Sequence, residues 1–424
     1  MKKRMNAALT AFVMSVCLLA GCGSGESSSQ TESRADVSSA AESAAESIAE
    51  SAAEKLPETD EEWHTAMIEK SLVTVGDTNP VRKKIEKAKA GEKVTVAYLG
   101  GSITEGVGGG DEHCYAKVSF DKFKERFGKD GGDNIVYVNA GISGTPSYLG
   151  NLRLERDVLS HGPDICFVEF AVNDSSNEDC QASYESIVRE LLEHDCAPVL
   201  LFSVTAEDYS AQDYMKNIGE YYGLPMVSYC DALRFMFENG RMKWEDFSDD
   251  KSHPNVSGHA LVAEMIDNYF GKAAVTETEA RTYPPQGMSV MIQQGMKLLE
   301  NGDIEPVSLG SWKEGSTVAH FGSGWTYEPD TGNEPLVFKF KGKFAHLVYK
   351  EVKSGKFGDL KVKITCDGQP YDEKKIKAVT SGGFGNPQIA LLGMQVSETE
   401  YTVEISMAEG SEEKQGEILA IAHN

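Results

Sequence analysis

Residues 94–106 read VTVAYLGGSITEG, a short apolar run that leads directly into the glycine-flanked Ser102. The run has the length and composition of a buried strand, and the two glycines after it let the backbone turn sharply. Further along the chain, residues 250–254 read DKSHP, which places Asp250 three residues before His253. A serine, a histidine and an aspartate can supply a nucleophile, a base and an orienting group. This combination favours a hydrolase.

The chain around Ser102 alternates between apolar strands and amphipathic helices. Strands are predicted at residues 94–99, 135–139, 165–170, 199–203 and 226–229, and helices at residues 182–195, 212–222 and 258–270. Strands that are apolar throughout, alternating with helices, are typical of an α/β domain whose parallel sheet is covered on both faces. Ligands of such sheets bind beyond the carboxyl ends of the strands.

Two more strand ends carry groups that suit an oxyanion. Residues 139–145 read NAGISGT, and residues 167–174 read FVEFAVND. The backbone N–H of Gly144 and the side-chain amide of Asn173 are donors of the kind that an oxyanion requires. Taken singly, Ser102 is also a good helix N-cap, and glycine and asparagine are common in turns. Their order along the chain, each after a strand, favours one shared site at the same edge of the sheet.

Other interpretations of these residues are weaker. The string GGSITEG lacks the spacing of a dinucleotide-binding loop and the lysine of a phosphate-binding loop. Asp249 competes with Asp250 as the partner of His253, but its spacing is less favourable. His259 suggests a metal pair, yet no third ligand is near it, and the six cysteines beyond residue 22 show no C-x-x-C spacing. The sequence therefore predicts neither a metal nor another cofactor.

The four segments resemble the sequence blocks of the SGNH (GDSL-type) hydrolases, a family named for its Ser, Gly, Asn and His. The resemblance covers about residues 93–272. It implies that Ser102 is the nucleophile and that His253 is the base, oriented by Asp250. It also implies an oxyanion hole formed by the backbone N–H groups of Ser102 and Gly144 and by the Asn173 amide.

The same resemblance implies a flavodoxin-like, three-layer α/β/α domain and metal-free hydrolysis of acyl esters through an acyl-enzyme. Gly101 and Ile103 stand where the GDSL string has Asp and Leu, and Ala171 stands where the family has Gly. These departures bear on the substrate class rather than on the mechanism.

Residues 1–22 resemble a bacterial lipoprotein signal peptide. A basic start is followed by an apolar core too short to span a membrane, and LAGC at residues 19–22 looks like a lipobox with Cys22 as the lipidated residue. An ordinary cleaved signal peptide is the alternative. Residues 23–62 are rich in Ser, Ala and Glu, with eleven acidic and two basic side chains, which predicts a disordered tether. We therefore expect an extracytoplasmic protein, anchored to a bacterial cell membrane through Cys22 only.

The remaining chain is long enough for two domains. We predict the hydrolase domain over residues 63–274 and a connecting segment over residues 275–300, with a helix at residues 289–300. Residues 301–424 show alternating strands at 336–341, 345–350, 360–365, 401–407 and 417–422, separated by glycine-containing turns. This pattern predicts an antiparallel β-sandwich.

The net charge of −25 argues against nucleic acid as a partner and against docking on anionic lipid. Exported SGNH enzymes with an added β-sandwich look like carbohydrate esterases, so the expected substrate is an acylated, above all O-acetylated, polysaccharide or oligosaccharide. Trp312, Trp325 and Tyr327 either stack on sugars or pack the sandwich. The alternatives are a lipase or thioesterase acting on other esters, and a surface lipoprotein that binds glycans without catalysis. The complete set of site residues argues against the last.

Overall fold

Five parallel strands and one antiparallel edge strand form the sheet of the first domain. The computed structural model describes residues 56–353 and 355–424. Strands β1 to β6 are Leu72–Thr74, Val94–Gly100, Ile135–Gly141, Ile165–Glu169, Ala197–Phe202 and Met226–Ser228. Their order across the sheet is β1-β6-β5-β4-β2-β3, and β1 runs antiparallel to β6. Without β1 this is the flavodoxin-like order, so the predicted fold class is confirmed.

Helices cover both faces of this sheet. Helices α1 to α11 are Asp60–Lys70, Asn79–Ala90, Ser102–Glu105, Tyr115–Phe127, Ser147–Leu152, Leu154–Asp157, Glu178–Glu193, Gln212–Tyr222, Tyr229–Glu238, Trp244–Phe247 and Val256–Ala273. Alternate residues of β2 enter different cores, because side chains of a strand point to opposite faces. Val96 and Tyr98 pack with α4 and α11, whereas Ala97 and Leu99 pack with α7 and α8.

The structure adds two helices and a strand before β2 that the sequence did not predict. Helix α1 begins with a capping box. The Glu62 backbone N–H donates to the Thr59 hydroxyl, and the Thr59 backbone N–H donates to the Glu62 carboxylate. Because α1 starts at Asp60, the last three residues of the predicted linker are helical. The predicted signal peptide, Cys22 and the predicted linker up to residue 55 lie outside the described residues.

The second domain is an antiparallel sheet of eight strands folded into two layers. Strands β7 to β14 are Lys297–Leu299, Trp312–Glu314, Trp325–Tyr327, Leu336–Glu351, Leu360–Cys366, Gln369–Ile376, Asn386–Met407 and Gly416–His423. The pairing of β10 with β13 shifts register between Gly342 and Phe344 and again after Ala345. Register shifts of this kind bend strands, so both pass from one layer to the other around a shared core.

Two strands of this domain are longer than the sequence predicts. The predicted strands at 336–341 and 345–350 are one continuous strand, β10, and the predicted strand at 401–407 is the last third of β13. The alternation of apolar and polar residues is interrupted at the bend, which is why the pattern reads as separate strands.

The predicted helix at residues 289–300 is wrong. Residues 286–296 are irregular, and the chain then forms β7, which pairs with β14. The backbone N–H groups of this segment donate to side chains of α7 instead of to one another. Ser289 N–H donates to the Glu185 carboxylate (2.7 Å), and Gly295 N–H, at φ +70°, donates to Glu190 (2.8 Å). Tertiary contacts thus replace the helical hydrogen bonds that the local pattern favoured.

The three aromatic side chains considered for sugar stacking pack the sandwich. Trp312, Trp325 and Tyr327 are at most 4% exposed and belong to the core of the second domain. The second of the two interpretations is therefore correct.

One buried arginine ties the sheet of the first domain together at its carboxyl edge. Arg153 lies between α5 and α6 and has no exposed surface. Its guanidinium donates to carbonyls at the ends of two strands, Gly100 O of β2 (3.0 Å) and Ala140 O of β3 (2.7 Å), and to the Asp157 carboxylate (2.9 Å). A buried charge is tolerated only when such partners replace water.

We expect Arg153→Met to lower the free energy of unfolding by about 3–5 kcal/mol, because the two strand-end carbonyls lose their buried donor. Chemical denaturation measures this change. The matched control is Arg126→Met, since the Arg126 side chain is 43% exposed and pairs with Asp267 at the surface. That control should cost less than about 1 kcal/mol. Equal costs for both variants would contradict the role of Arg153.

Candidate active site

Ser102, His253 and Asp250 form one hydrogen-bonded row. Ser102 opens the one-turn helix α3 directly after β2, and its Oγ lies 2.8 Å from His253 Nε2. His253 Nδ1 lies 2.7 Å from Asp250 Oδ2. With the proton on Nδ1 held by the carboxylate, Nε2 is free to accept the serine proton. The order serine–imidazole–carboxylate is the one that nucleophilic ester cleavage requires.

Asp250 is held by its own loop as well as by His253. Its Oδ1 accepts the backbone N–H groups of Ser252 and His253, both at 2.7 Å. Partial burial acts to raise the pKa of Asp250, but these hydrogen bonds and the imidazole outweigh it and lower the pKa below its ordinary value. The rival candidate, Asp249, lies near Asn255 Nδ2 instead (3.5 Å).

The predicted Asn173 side chain lies against the turn that presents Ser102. A Cβ atom on Gly101 would be 2.4 Å from Asn173 Oδ1, so the Asn173 amide lies directly against the backbone of this turn. With a larger residue at position 101, the amide would have to shift. Asn173 Oδ1 is buried and has no hydrogen-bond partner among the described residues.

Gly144 follows β3, so the structure brings it to the same sheet edge as Ser102. Its φ is +71°, a conformation that favours glycine. A Cβ atom on Gly144 would meet the ring of Phe384 at 2.5 Å, so a side chain of the second domain covers this residue. Phe384 itself is 66% exposed. The rim of the site thus contains residues from both domains.

His259 supports the loop beside His253. Its Nε2 donates to Val107 O (3.0 Å), and its Nδ1 accepts from the Tyr115 backbone N–H (3.1 Å). Burial is the main reason that the pKa of His259 lies below its ordinary value. Within residues 56–353 and 355–424, no cluster of three or more His, Cys, Asp or Glu could hold a metal ion.

A cavity of about 360 Å³ opens beside Asn173. Its lining includes Tyr148, Asp174, Asn177 and the 43%-exposed Tyr209. A larger cavity, of about 690 Å³, lies near Asp77 and Arg281 and contains none of the site residues. The smaller cavity therefore borders the site, because Asn173 lies in its lining.

Comparisons with known proteins bear on the family of the first domain. Residues 98–261 match the model of the GDSL-like lipase/acylhydrolase family. The first domain belongs to the SGNH (GDSL-type) hydrolases. This chain is therefore a carboxylic ester hydrolase. None of the curated proteins compared with it matches significantly.

Among solved structures, this hydrolase is similar along most of its length to a two-domain esterase (CEX) active on acetylated mannans. The crystal structure of that esterase with mannopentaose is 25% identical, covers 84% of this chain and 97% of its own, and has a TM-score of 0.72. Its structure without that ligand gives the same identity and TM-score and covers 98% of its own chain. The likeness extends over both domains.

Three groups near the SGNH site were not singled out from the sequence. Glu105 lies within residues 94–106, the segment that contains Ser102, but its spacing from Ser102 does not indicate a functional role. His320 and Phe384 come from the second domain, and only the folded structure brings them to the first. No local sequence signal could have identified either.

A buried carboxyl group lies beneath the nucleophile turn of the hydrolase. Glu169 ends β4, and burial raises its pKa to about 7. Its Oε1 accepts from the Ser203 hydroxyl, and its Oε2 lies 3.3 Å from Thr104 Oγ1, two residues after Ser102. Burial favours the neutral carboxylic acid, whereas the Ser203 and Thr104 hydroxyls favour the carboxylate, and burial outweighs them.

We expect Glu169→Gln to change how stability depends on pH. The folded pKa of Glu169 lies above its ordinary value of 4.5, so folding favours its protonated form. The wild type should therefore lose stability relative to the variant as the pH rises from about 4.5 to 7, by up to about 3 kcal/mol. Denaturation curves at several pH values measure this difference. A difference that stays constant over this range would contradict a protonated Glu169.

Proposed function

We propose that this hydrolase is an exported carbohydrate O-deacetylase that uses Ser102, His253 and Asp250 as a catalytic triad. The observation that carries the proposal is the hydrogen-bonded row of these three side chains at the carboxyl end of β2, with distances of 2.8 Å and 2.7 Å. The backbone N–H groups of Ser102 and Gly144 and the Asn173 amide are proposed as the oxyanion donors.

In the proposed reaction, Ser102 Oγ attacks the carbonyl carbon of the ester as His253 Nε2 takes the serine proton. Asp250 stabilises the imidazolium, and the three donors stabilise the oxyanion of the tetrahedral intermediate. The intermediate collapses to an acetyl-enzyme, and His253 returns the proton to the departing sugar oxygen. Water then attacks the acetyl-enzyme with His253 again as the base, which releases acetate and restores Ser102.

Two observations support a glycan as the substrate. The two-domain esterase that this chain resembles over 84% of its length is active on acetylated mannans. The cavity beside Asn173 has Tyr148 and Tyr209 in its lining together with the polar side chains of Asp174 and Asn177, and the exposed Phe384 covers Gly144 nearby. Aromatic rings beside polar groups offer a sugar both apolar contact and hydrogen bonds. An O-acetylated mannan is therefore the first substrate to test.

We expect the enzyme to release acetate from O-acetylated mannan, and Ser102→Ala to lower kcat by about 10⁴-fold or more, because the variant lacks the nucleophile. Acetate release from mannan, xylan and peptidoglycan, each O-acetylated, measures this. Ser160→Ala is the matched control, since the exposed Ser160 hydroxyl donates to the Arg156 carbonyl (2.7 Å), away from the site.

Two outcomes of this experiment would overturn parts of the proposal. Undiminished activity of Ser102→Ala would reject the mechanism. The lipase or thioesterase alternative would be favoured if the enzyme cleaves 4-nitrophenyl octanoate faster than 4-nitrophenyl acetate and releases no acetate from any polymer. Polymer binding without cleavage of any ester would instead favour a glycan-binding lipoprotein.

We also propose that a lipid on Cys22 holds the enzyme at the outer side of a bacterial cell membrane. The proposal rests on the signal-like residues 1–22 and the LAGC string. In residues 56–353 and 355–424, no helix combines the length and apolar character needed to cross a bilayer.

We expect Cys22→Ser to move the protein from the membrane fraction to the soluble fraction of the producing cells, because the residue that would carry the lipid is lost. Fractionation followed by immunoblotting measures the distribution. If the variant stays in the membrane fraction as the wild type does, the anchor does not depend on Cys22.

A further inference from the structure

The Glu105 carboxylate joins three parts of the molecule at the active site. Glu105 ends α3, the helix that begins with Ser102. Its Oε2 accepts both the backbone N–H of Ser143 (2.8 Å) and the Ser143 hydroxyl. Its Oε1 lies 2.8 Å from His320 Nε2, which belongs to the second domain. One carboxylate thus connects the nucleophile helix, the loop before Gly144 and the second domain.

The position of His320 is fixed from both sides in its own domain. Before it, the Thr317 backbone N–H donates to the buried Glu417 carboxylate of β14 (2.6 Å). On either side of it, Val318 and Phe321 are buried in the cluster that joins the two domains. That cluster also contains Leu149 and Leu152 of α5, the helix that follows Gly144. His320 is therefore presented to Glu105 by a rigid segment.

The loop that His320 reaches needs such support. Ser143 immediately precedes Gly144, and the peptide between them carries the N–H proposed as an oxyanion donor. Glycine allows wide backbone freedom, and Gly144 has a positive φ of +71°. The direction of its N–H therefore depends on how firmly Ser143 is held. Ser143 is held by Glu105, and the second oxygen of Glu105 is held by His320.

We propose that His320 of the second domain is a positioning residue for the Gly144 oxyanion donor and acts through Glu105. This inference rests on the proposed function of the site. It assigns the second domain a part in the chemical step that is separate from any binding of the polymer. Hydrogen bonds from His320 and Ser143 outweigh partial burial and keep the pKa of Glu105 below its ordinary value, so the carboxylate is ionised and able to accept all three donors.

The experiment measures kcat and KM of the full chain with 4-nitrophenyl acetate, an ester too small to need a glycan-binding surface. We expect His320→Ala to lower kcat by about 5- to 50-fold with little change in KM, since a misdirected oxyanion donor weakens the transition state more than the bound substrate. His320→Gln, whose amide can donate to Glu105 in place of the imidazole, should restore kcat to within about 3-fold of the wild type.

His64→Ala is the matched control. His64 Nε2 forms a similar 2.8 Å pair with Glu264, and both side chains are about as exposed as those of the His320–Glu105 pair. Loss of that pair should leave kcat unchanged. If His320→Ala lowers only the unfolding temperature and leaves kcat at the wild-type value, the role of His320 is structural and the inference is wrong.

A double-mutant cycle tests the route through Glu105. Glu105→Ala should lower kcat at least as much as His320→Ala, and adding His320→Ala to Glu105→Ala should lower it no further. Additive losses would mean that His320 acts independently of Glu105 and would overturn the inference. If the proposed function itself is wrong, the result is different: Ser102→Ala then remains active, whatever the His320 variants do.

Discussion

The fold and the site of this hydrolase both depend on the buried guanidinium of Arg153. A fully buried charge is costly without hydrogen-bond partners, and here the two terminal nitrogens of the guanidinium donate to carbonyls at the ends of β2 and β3 and to the Asp157 carboxylate. These carbonyls are those of Gly100 and Ala140. Just after Gly100 the chain turns to Ser102, and just after Ala140 it turns toward Gly144. One interaction therefore fixes the relative position of the two turns that supply the serine and a proposed oxyanion donor. Movement of either strand end would leave a buried donor unpaired.

The second domain contributes to the same edge of the sheet. Phe384 covers Gly144, and the Tyr148 ring packs edge-to-face against His346 at a centroid distance of 5.4 Å. The Asn151 amide donates to Gln293 O (2.8 Å) in the segment that connects the two domains. The stretch from Gly144 to α5 is thus enclosed on one side by the hydrolase sheet and on the other by the sandwich. On this arrangement, the sandwich is part of the environment of the site rather than a module attached to it.

Local chemistry made much of the first domain predictable. The apolar strands, the glycines of the nucleophile turn and the three-residue spacing of Asp250 and His253 are short-range features, and the corresponding strands and helices lie within a few residues of their predicted positions. The sequence could not distinguish residues whose role arises from distant contacts. Arg153 reads as an ordinary helix residue, and His320 as a loop residue. Residues 289–300 have a helical pattern, yet their backbone hydrogen bonds go to α7, which only the folded chain brings near.

The long strands β10 and β13 have a consequence for how the chain reaches its folded state. Because each strand runs through both layers of the sandwich, neither layer can be completed without the other, and β10 must pair with β14, far along the chain. The first domain, by contrast, is assembled from strand–helix–strand units close in sequence. Non-local pairing is slow. An intermediate in which the first domain forms before the sandwich would expose the apolar surface at Leu149 and Leu152, and we expect such an intermediate to aggregate through that surface until the sandwich covers it.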